Sequence, residues 1–503
     1  MHDIPHDHDH EEPLPEDEED HPLWKLDTIT LTSVGIDVGT ATSQIIFSRL
    51  VMRRLGRELS SRFVVTERKT LYLSPIHFTP YAANRERIDE QALGRLIDAA
   101  YDAAGLIPEK VDTGAIILTG EAIRRDNARA IAELFSAQRG NFVCATAGHN
   151  FEAMLSAHGS GAVALSGESR CRVLNIDIGG GTTKLAACEQ GRVLSTAALH
   201  IGGRLLVTDN AGVITVLEPG GRELARRAGF EWLVGDRVTP AQLQRLADYM
   251  SRAILDLAQH ERSAPEFDQL WLTPALNGAR NYDAVVFSGG VGEYVYGKEP
   301  NSFGDIGAPL GLAIQRQIAG DGLYWPLAPA RECIRATVMG AAQHTVQVSG
   351  NTIYRANDGL LPQKNLQVLR PDVDLSHDID ANGIAQSIAG HFQAFDLIEG
   401  RSEVALVFRW SGQPSAVRIA AFCRGLLQGL PGTLKSGRPI YLVFDHDLAG
   451  LVGTILKNDF EIKNDILAID GVTLSDFDFI DLGKILEPSG TVPVTIKSLV
   501  FQF

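Results

Sequence analysis

The chain has 503 residues, 45% of them apolar, and 49 glycines: the length of two to four domains and the composition of a globular α/β protein with a large core. Its formal net charge of −16 argues against nucleic acid as a partner, and its apolar runs fall far short of the roughly 18 residues that cross a membrane. Five cysteines, Cys144, Cys171, Cys188, Cys333 and Cys423, show no CxxC or metal-ligand spacing and read as thiols of a reducing, cytoplasmic compartment.

Much of the charge is local, because residues 1–20 hold ten acids and no Lys or Arg. With His2, His6, His8 and His10 among them, they cannot bury apolar surface, so residues 1–28 are expected to be a disordered tail whose acidity argues against a secretory signal. An apolar strand at residues 30–34 then enters the turn Gly35-Ile36-Asp37-Val38-Gly39-Thr40. Asp89 is placed as the N-cap of a helix that carries Leu93, Leu96, Ile97, Ala100 and Ala104 on one face and ends at Gly105. Residues 115–121 read as a buried strand. A second turn, Asn175-Ile176-Asp177-Ile178-Gly179-Gly180-Gly181-Thr182-Thr183, follows another apolar run and matches the first. Glycines let backbone N–H groups approach an anion, threonine hydroxyls add donors, and a strand-end aspartate can hold hydrated Mg²⁺. Two such turns suggest a duplicated fold that clamps one nucleotide.

Residues 205–280 are mostly helical by pattern, with residues 242–259 amphipathic through Leu243, Leu246, Met250, Ile254 and Leu257. Residues 284–293 form a third apolar strand ending in glycines, where backbone could lie flat against adenine or ribose; residues 336–343 are small enough for two helices to cross closely. His149 and His158 fall on opposite faces of a helix, which removes a zinc reading. After Tyr354 the pattern alternates again, with strands at residues 404–408 and 439–444, a helix at 448–457 and a final strand at 491–501. Asp445-His446-Asp447 is either a capped, solvated turn or a catalytic His-Asp pair, and residues 476–481 are a second acidic segment.

The ordered set of motifs between Gly35 and Gln343 resembles the superfamily of ATPases that includes actin, the heat-shock chaperones and sugar kinases. The resemblance implies an α/β chain with an actin-like ATPase fold. Two RNase H-like halves, residues 29–165 and 166–354, would be followed by an additional C-terminal α/β domain at 355–503. It implies ATP and Mg²⁺ as cofactors. Asp37 and Asp177 would organise the metal through water, Asp177 thereby sharing in catalysis, while Gly39, Thr40, Thr42, Gly179, Gly180, Gly181, Thr182 and Thr183 would contact the phosphates. Ser288, Gly289, Gly290 and Gly292 would contact the nucleoside. Residues 146–159 fit the first connecting helix, which must orient a water at the γ-phosphate. Counting back from Ala157-His158-Gly159 lands on Asn150, whereas the carboxylate of the segment is Glu152. One departure is that Thr40-Ala41-Thr42-Ser43-Gln44 offers no lysine where actin carries a basic residue.

Over about residues 30–503 the chain is similar to the ethanolamine ammonia-lyase reactivating factors of ethanolamine utilisation. The stretches that carry the likeness are Ile116-Ile117-Leu118-Thr119-Gly120-Glu121-Ala122, Ala145-Thr146-Ala147-Gly148-His149-Asn150, the second glycine turn, and Leu486-Glu487-Pro488-Ser489-Gly490. This likeness implies a chaperone-like ATPase, cytoplasmic or associated with a bacterial microcompartment. It would bind adenosylcobalamin-dependent ethanolamine ammonia-lyase and let damaged cobalamin leave, the C-terminal domain helping to recognise the lyase. A small-molecule kinase and a non-hydrolysing nucleotide-binding scaffold are the alternatives, and the oligomeric state, homo-oligomer included, stays open.

Overall fold

A computed structural model describes residues 28–39, 41–54, 63–82, 87–111, 113–119, 142–261, 264–320, 322–336, 343–348, 353–483, 485 and 492–499. The first apolar run becomes strand β1 (Thr28–Val38), which folds back antiparallel onto β2 (Thr42–Arg54) with Val38 opposite Ser43 and Asp37 opposite Gln44. β2 continues to β3 (Phe63–Leu73) and the short β4 (His77–Phe78); on its other edge β1 is joined in parallel by β5 (Thr113–Thr119) and then β6 (Phe142–Ala147). Helix α1 (Glu90–Ala104) starts where Asp89 accepts the Ala92 N–H at 2.9 Å and stops at Gly105, whose φ is +65°, as its capping residues foretell.

The second half repeats this path. β7 (Arg172–Ile178) pairs antiparallel with β8 (Thr183–Glu189), placing Ile178 opposite Thr183 and Asp177 opposite Lys184. β9 (Arg192–Leu199) extends β8, and β12 (Ala284–Ser288) flanks β7 in parallel, as β5 flanks β1. Residues 173–178 are buried throughout, which is why this strand is a continuous apolar run rather than an alternating one. This duplicated sheet topology is the actin-like ATPase fold. Helix α2 (His149–Gly159) leads from the first sheet, followed by α3 (Ala162–Glu168). The stretch expected to be mostly helical also contains the hairpin of β10 (Leu206–Thr208) and β11 (Ile214–Leu217), beside α4 (Pro219–Arg227) and α5 (Pro240–Gln259). The third apolar strand, β12, runs directly into α6 (Gly289–Val295), and α7 (Gly307–Ala319) packs against it. Of the expected second connecting helix, residues 337–342 lie outside the described residues, and Gln343 opens a strand, β13 (Gln343–Val348).

That strand belongs to a third sheet. Its order is β13, β20 (Pro493–Ser498), β19 (Asp478–Leu482), β15 (Gln363–Leu369), β16 (Val404–Phe408), β17 (Ile440–Phe444), β18 (Ile466–Asp470) and β14 (Tyr354–Arg355), and β15 to β18 run parallel. Helices α8 (Ala381–Ala394), α9 (Ala416–Gly429) and α10 (Ala449–Asn458) cover it. The boundary expected at Tyr354 therefore falls inside one sheet. The core beneath is also shared: Phe151, Met154 and Leu155 of α2 pack in one cluster with Phe395, Phe477 and the apolar residues on one face of β16 to β18.

The two acidic segments of this region are largely committed inward. Asp445 accepts the Trp410 N–H at 2.9 Å, Asp476 that of Arg370 at 2.9 Å, and Asp478 that of Ser475 at 2.7 Å. Asp481 accepts the Asn365 N–H and pairs with buried Lys497, both at 2.8 Å. Asp447 is the exposed acid of the first segment, beside exposed His446.

Gly289 joins β12 to α6 at φ +78°, and a Cβ there would lie 2.3 Å from the carbonyl oxygen of Ile178. Strain and overpacking both oppose a side chain. Gly289→Ala is expected to cost about 2–4 kcal/mol, read as a lowered urea midpoint; an unchanged midpoint would contradict the packing.

Candidate nucleotide site

The two turns close alike. Gly39 N–H donates to the Thr42 carbonyl at 2.9 Å, and Gly179 N–H donates to the Thr182 carbonyl at 3.0 Å. The turns also abut: a Cβ on Gly180 would fall 2.3 Å from that of Ala41, so glycine is required where the two halves meet. Behind the second turn, Gly203 and Arg204 donate their N–H groups to the carbonyls of Gly179 and Gly180, at 2.9 and 2.7 Å. Arg204 then reaches across the molecule, its guanidinium 3.8 Å from the ring centre of Phe78 in the first half and 3.0 Å from Asp305 in the second.

Asp37 and Asp177 occupy the same place in their hairpins, and the residues opposite them, Gln44 and Lys184, therefore correspond too. Lys184 is buried and pairs at 2.5 Å with Glu152 of α2, itself 7% exposed. The ammonium lies 3.8 Å from where a Gly179 Cβ would stand, directly beneath the second turn. Thr119, at the end of β5, donates to Asp37 at 3.3 Å; Ser288, at the end of β12, donates to Asp177 at 2.7 Å. Both aspartates thus hang from the central strand of their half and are held by a hydroxyl from the neighbouring parallel strand.

Three carboxylates converge on one ammonium, and their electrostatics follow. Burial first, then the Glu152 charge, pushes the Asp37 carboxyl up to about 7; Thr119 and Lys184 pull it down and Asp177 pushes it further up. Burial raises Asp177 as well, against Lys184 and the Ser288 hydroxyl. Buried aspartates whose charged forms are disfavoured first by burial would gain from the counter-charge of a divalent cation. Among the described residues no three His, Cys, Asp or Glu side chains converge closely enough to chelate one, so a metal here would need water and phosphate to complete its shell.

The other expected residues divide. Gly39, Thr42, Gly179, Gly180, Gly181 and Thr182 form the facing turns; Thr40 lies outside the described residues. Thr183 is fully buried and donates to the Ile201 carbonyl at 2.8 Å, and Ser288 is spent on Asp177, so both hydroxyls hold the scaffold instead of facing the cleft. Gly289 and Gly292 serve close packing of α6, the latter against Phe287, while Gly290 keeps some exposure. Of the two candidates on α2, Glu152 stands in the cluster. The Asn150 amide is taken up elsewhere, accepting from Thr196 at 2.9 Å and donating to Asp396 at 3.0 Å. Lys184 and Thr119 escape a reading by motif, although aligning the two hairpins residue by residue puts Lys184 opposite an aspartate.

Fold and site geometry together place the chain in the class of proteins with the actin-like ATPase fold. The chain belongs to the family described as ethanolamine utilisation protein EutA, whose profile matches residues 29–502. It is 34% identical over 485 residues to the ethanolamine ammonia-lyase reactivase EutA of Salmonella typhimurium, and 33% identical over 484 residues to that of Escherichia coli. Each match covers 95% of this chain and all of the relative. Among solved structures, a Ppx/GppA family member from Aquifex aeolicus matches 55% of this chain and 72% of its own, at 17% identity and a TM-score of 0.32. Among the described residues no helix is long and apolar enough to cross a membrane.

Two predictions follow from the cluster. Removing one partner of a buried ion pair strands the other, so Lys184→Met is expected to cost about 3–5 kcal/mol, and adding Glu152→Gln to recover most of it. Urea unfolding of the single and double variants checks this; equal losses in both would refute the pairing. The second concerns pH. Because folding raises the Asp37 pKa above its ordinary value near 3.8, the protonated carboxyl favours the folded state. That contribution is complete below pH 3.8 and is lost as the pH climbs to about 7. The advantage of Asp37→Asn, neutral throughout, over the parent should grow across that window and hold level above it, measured by parallel thermal melts. A constant offset would contradict the assignment.

Proposed function

We propose that the chain is an ATP-dependent reactivating factor for adenosylcobalamin-dependent ethanolamine ammonia-lyase, binding the inactivated lyase and promoting exchange of damaged cobalamin for intact cofactor. The buried Lys184–Glu152 pair beneath two facing glycine turns is the observation that carries the ATPase part of this reading. The reactivase names of the relatives, matched over their whole length, support the lyase as partner. The cobalamin belongs to the lyase.

In this reading the N–H groups of both turns and the Lys184 ammonium receive the phosphates, and Asp37 and Asp177 hold hydrated Mg²⁺. When bound, the metal supplies neutralising charge to the β- and γ-phosphates. Asp37 must shed its proton to take part, so nucleotide loading releases protons near neutral pH. Phosphate draws Lys184 away from Glu152, and the freed carboxylate orients a water and accepts its proton. Coupling to the lyase follows if opening and closing of the two halves, linked at Arg204 and Phe78, favours one lyase conformation over another.

Phosphate release measured with and without the lyase tests this directly. Asp177→Ala should abolish Mg·ATP-dependent turnover with the fold intact. Glu152→Gln should keep nucleotide binding and lower hydrolysis by about 10²-fold or more, whereas Asn150→Ala should not match that loss. Turnover at the parent rate in Asp177→Ala would sink the assignment. A requirement for an added small acceptor would point to a kinase, and no release under any condition to a scaffold.

A further inference from the structure

Helix α2, which carries Glu152, begins at Gly148, a residue with no side chain to cap it. The cap comes from elsewhere in the chain. Asp396, in the segment following α8, accepts the Phe151 N–H at 2.8 Å and the Asn150 side-chain N–H at 3.0 Å. A carboxylate at this end also meets the positive pole of the helix. Asp396 holds the left-handed conformation, φ +56°, and is partly desolvated, its carboxyl raised by burial against the pull of the Phe151 and Asn150 donors. Gly148 makes the arrangement sterically open: its own φ of −61° and ψ of −178° suit any residue, yet a Cβ there would lie 2.4 Å from both Cβ and Cγ of Asp396. The backbone does not require glycine at 148; the incoming carboxylate does. Next to the cap, the Phe151 ring packs against both Phe395 and Phe477, at 5.4 and 5.5 Å between ring centres, and those two rings touch each other at 5.3 Å. The next residue along the helix is Glu152.

We propose that Asp396 is a positioning residue of the nucleotide site: by capping α2 from the C-terminal domain it sets where Glu152 stands, so that activity depends on how that domain is seated. The proposal rests on the ATPase reading above for its catalytic consequence, and on Gly148 and Asp396 for its geometry. Glu152 reaches Lys184 from the first turn of α2, the part of a helix that frays when its N–H groups lose their acceptors. A small displacement of such a group is felt in the chemical step more than in binding.

Three full-length variants test it. Asp396→Ala removes the cap, Gly148→Ala displaces it, and Gly148→Ser with Asp396→Gly moves it to the N-cap position of α2, cutting the tie to the C-terminal domain while satisfying the same N–H groups. Mg·ATP turnover, KM and amide exchange across residues 149–155 are read in each. The first two are expected to lower kcat about tenfold or more with KM within about twofold, and to speed exchange. The double variant should regain kcat to within about threefold of the parent. Unchanged turnover per folded molecule in the first two would overturn the proposal, as would a double variant that recovers exchange protection without kcat. If the parent chain releases no phosphate, the ATPase reading fails and the positioning role falls with it; faster exchange in Asp396→Ala then shows only that Asp396 caps α2, and unchanged exchange refutes even that.

Discussion

The buried pair of Lys184 and Glu152 is the constraint around which the rest of this structure is arranged. An ammonium and a carboxylate removed from water offset their desolvation only when each has a close partner held in place. Lys184 is fixed by its position in β8, paired with the buried strand β7, and Glu152 by a helix whose N-terminus Asp396 caps. Two further carboxylates, Asp37 and Asp177, face the same ammonium, and the region carries more acid than base. A cluster that stable charge balance alone would not favour is the kind of feature expected where a ligand supplies the missing counter-charge. Phosphate and a divalent cation together would do so, one engaging the lysine and the other the aspartates.

Duplication gives this arrangement its geometry. Each half contributes one aspartate from its central strand, one restraining hydroxyl from the adjacent parallel strand, and one glycine turn. The asymmetry lies opposite the aspartates, where the first half has Gln44 and the second Lys184. Gln44 instead donates to the Ile334 carbonyl at 3.2 Å, tying its hairpin to the other half. With the Arg204–Phe78 contact and the meeting of Gly180 with Ala41, this brings the halves together at three points around the turns. None of these three contacts is a large apolar interface; the buried apolar contact between the halves is made by α2 and α3, whose Ala153, Ala157, Ala162 and Val163 pack in one cluster with Val173, Ala186, Cys188 and Val286.

What the sequence disclosed and what it hid separate along the range of the interactions. The glycine turns, the strands that feed them, and the limits of α1 at Asp89 and Gly105 were legible because their causes are local: an apolar run, a residue free to turn, a side chain that caps three residues on. The aspartates were legible because a strand-end acid before a glycine turn is itself a local signal. The direction of a hydroxyl is not. Thr183 and Ser288 sit within the motifs as expected, yet tertiary packing turns them inward, toward Ile201 and Asp177. Lys184 carries no motif signal, because the basic residue of actin stands in the first hairpin and this chain has its lysine in the second. Asp396 lies 245 residues from the N–H it caps, and no local pattern announces such a pairing.

The C-terminal sheet then takes a different meaning from that of an appended module. Its acidic residues, which by sequence suggest an outward charged face, are mostly hydrogen-bonded within the fold at Asp445, Asp476, Asp478 and Asp481. Its apolar residues continue into α2, where Phe151 completes a cluster with Phe395 and Phe477 that neither part could close alone. Burying an aromatic ring of that size contributes about 1.5–3 kcal/mol, far more than an exposed ion pair between domains would. The helix that carries Glu152 is therefore held on one side by the charge cluster beneath the turns and on the other by the C-terminal core. This helix of 11 residues is the physical link between the two, with Asp396 and Phe151 at the end that also carries Glu152.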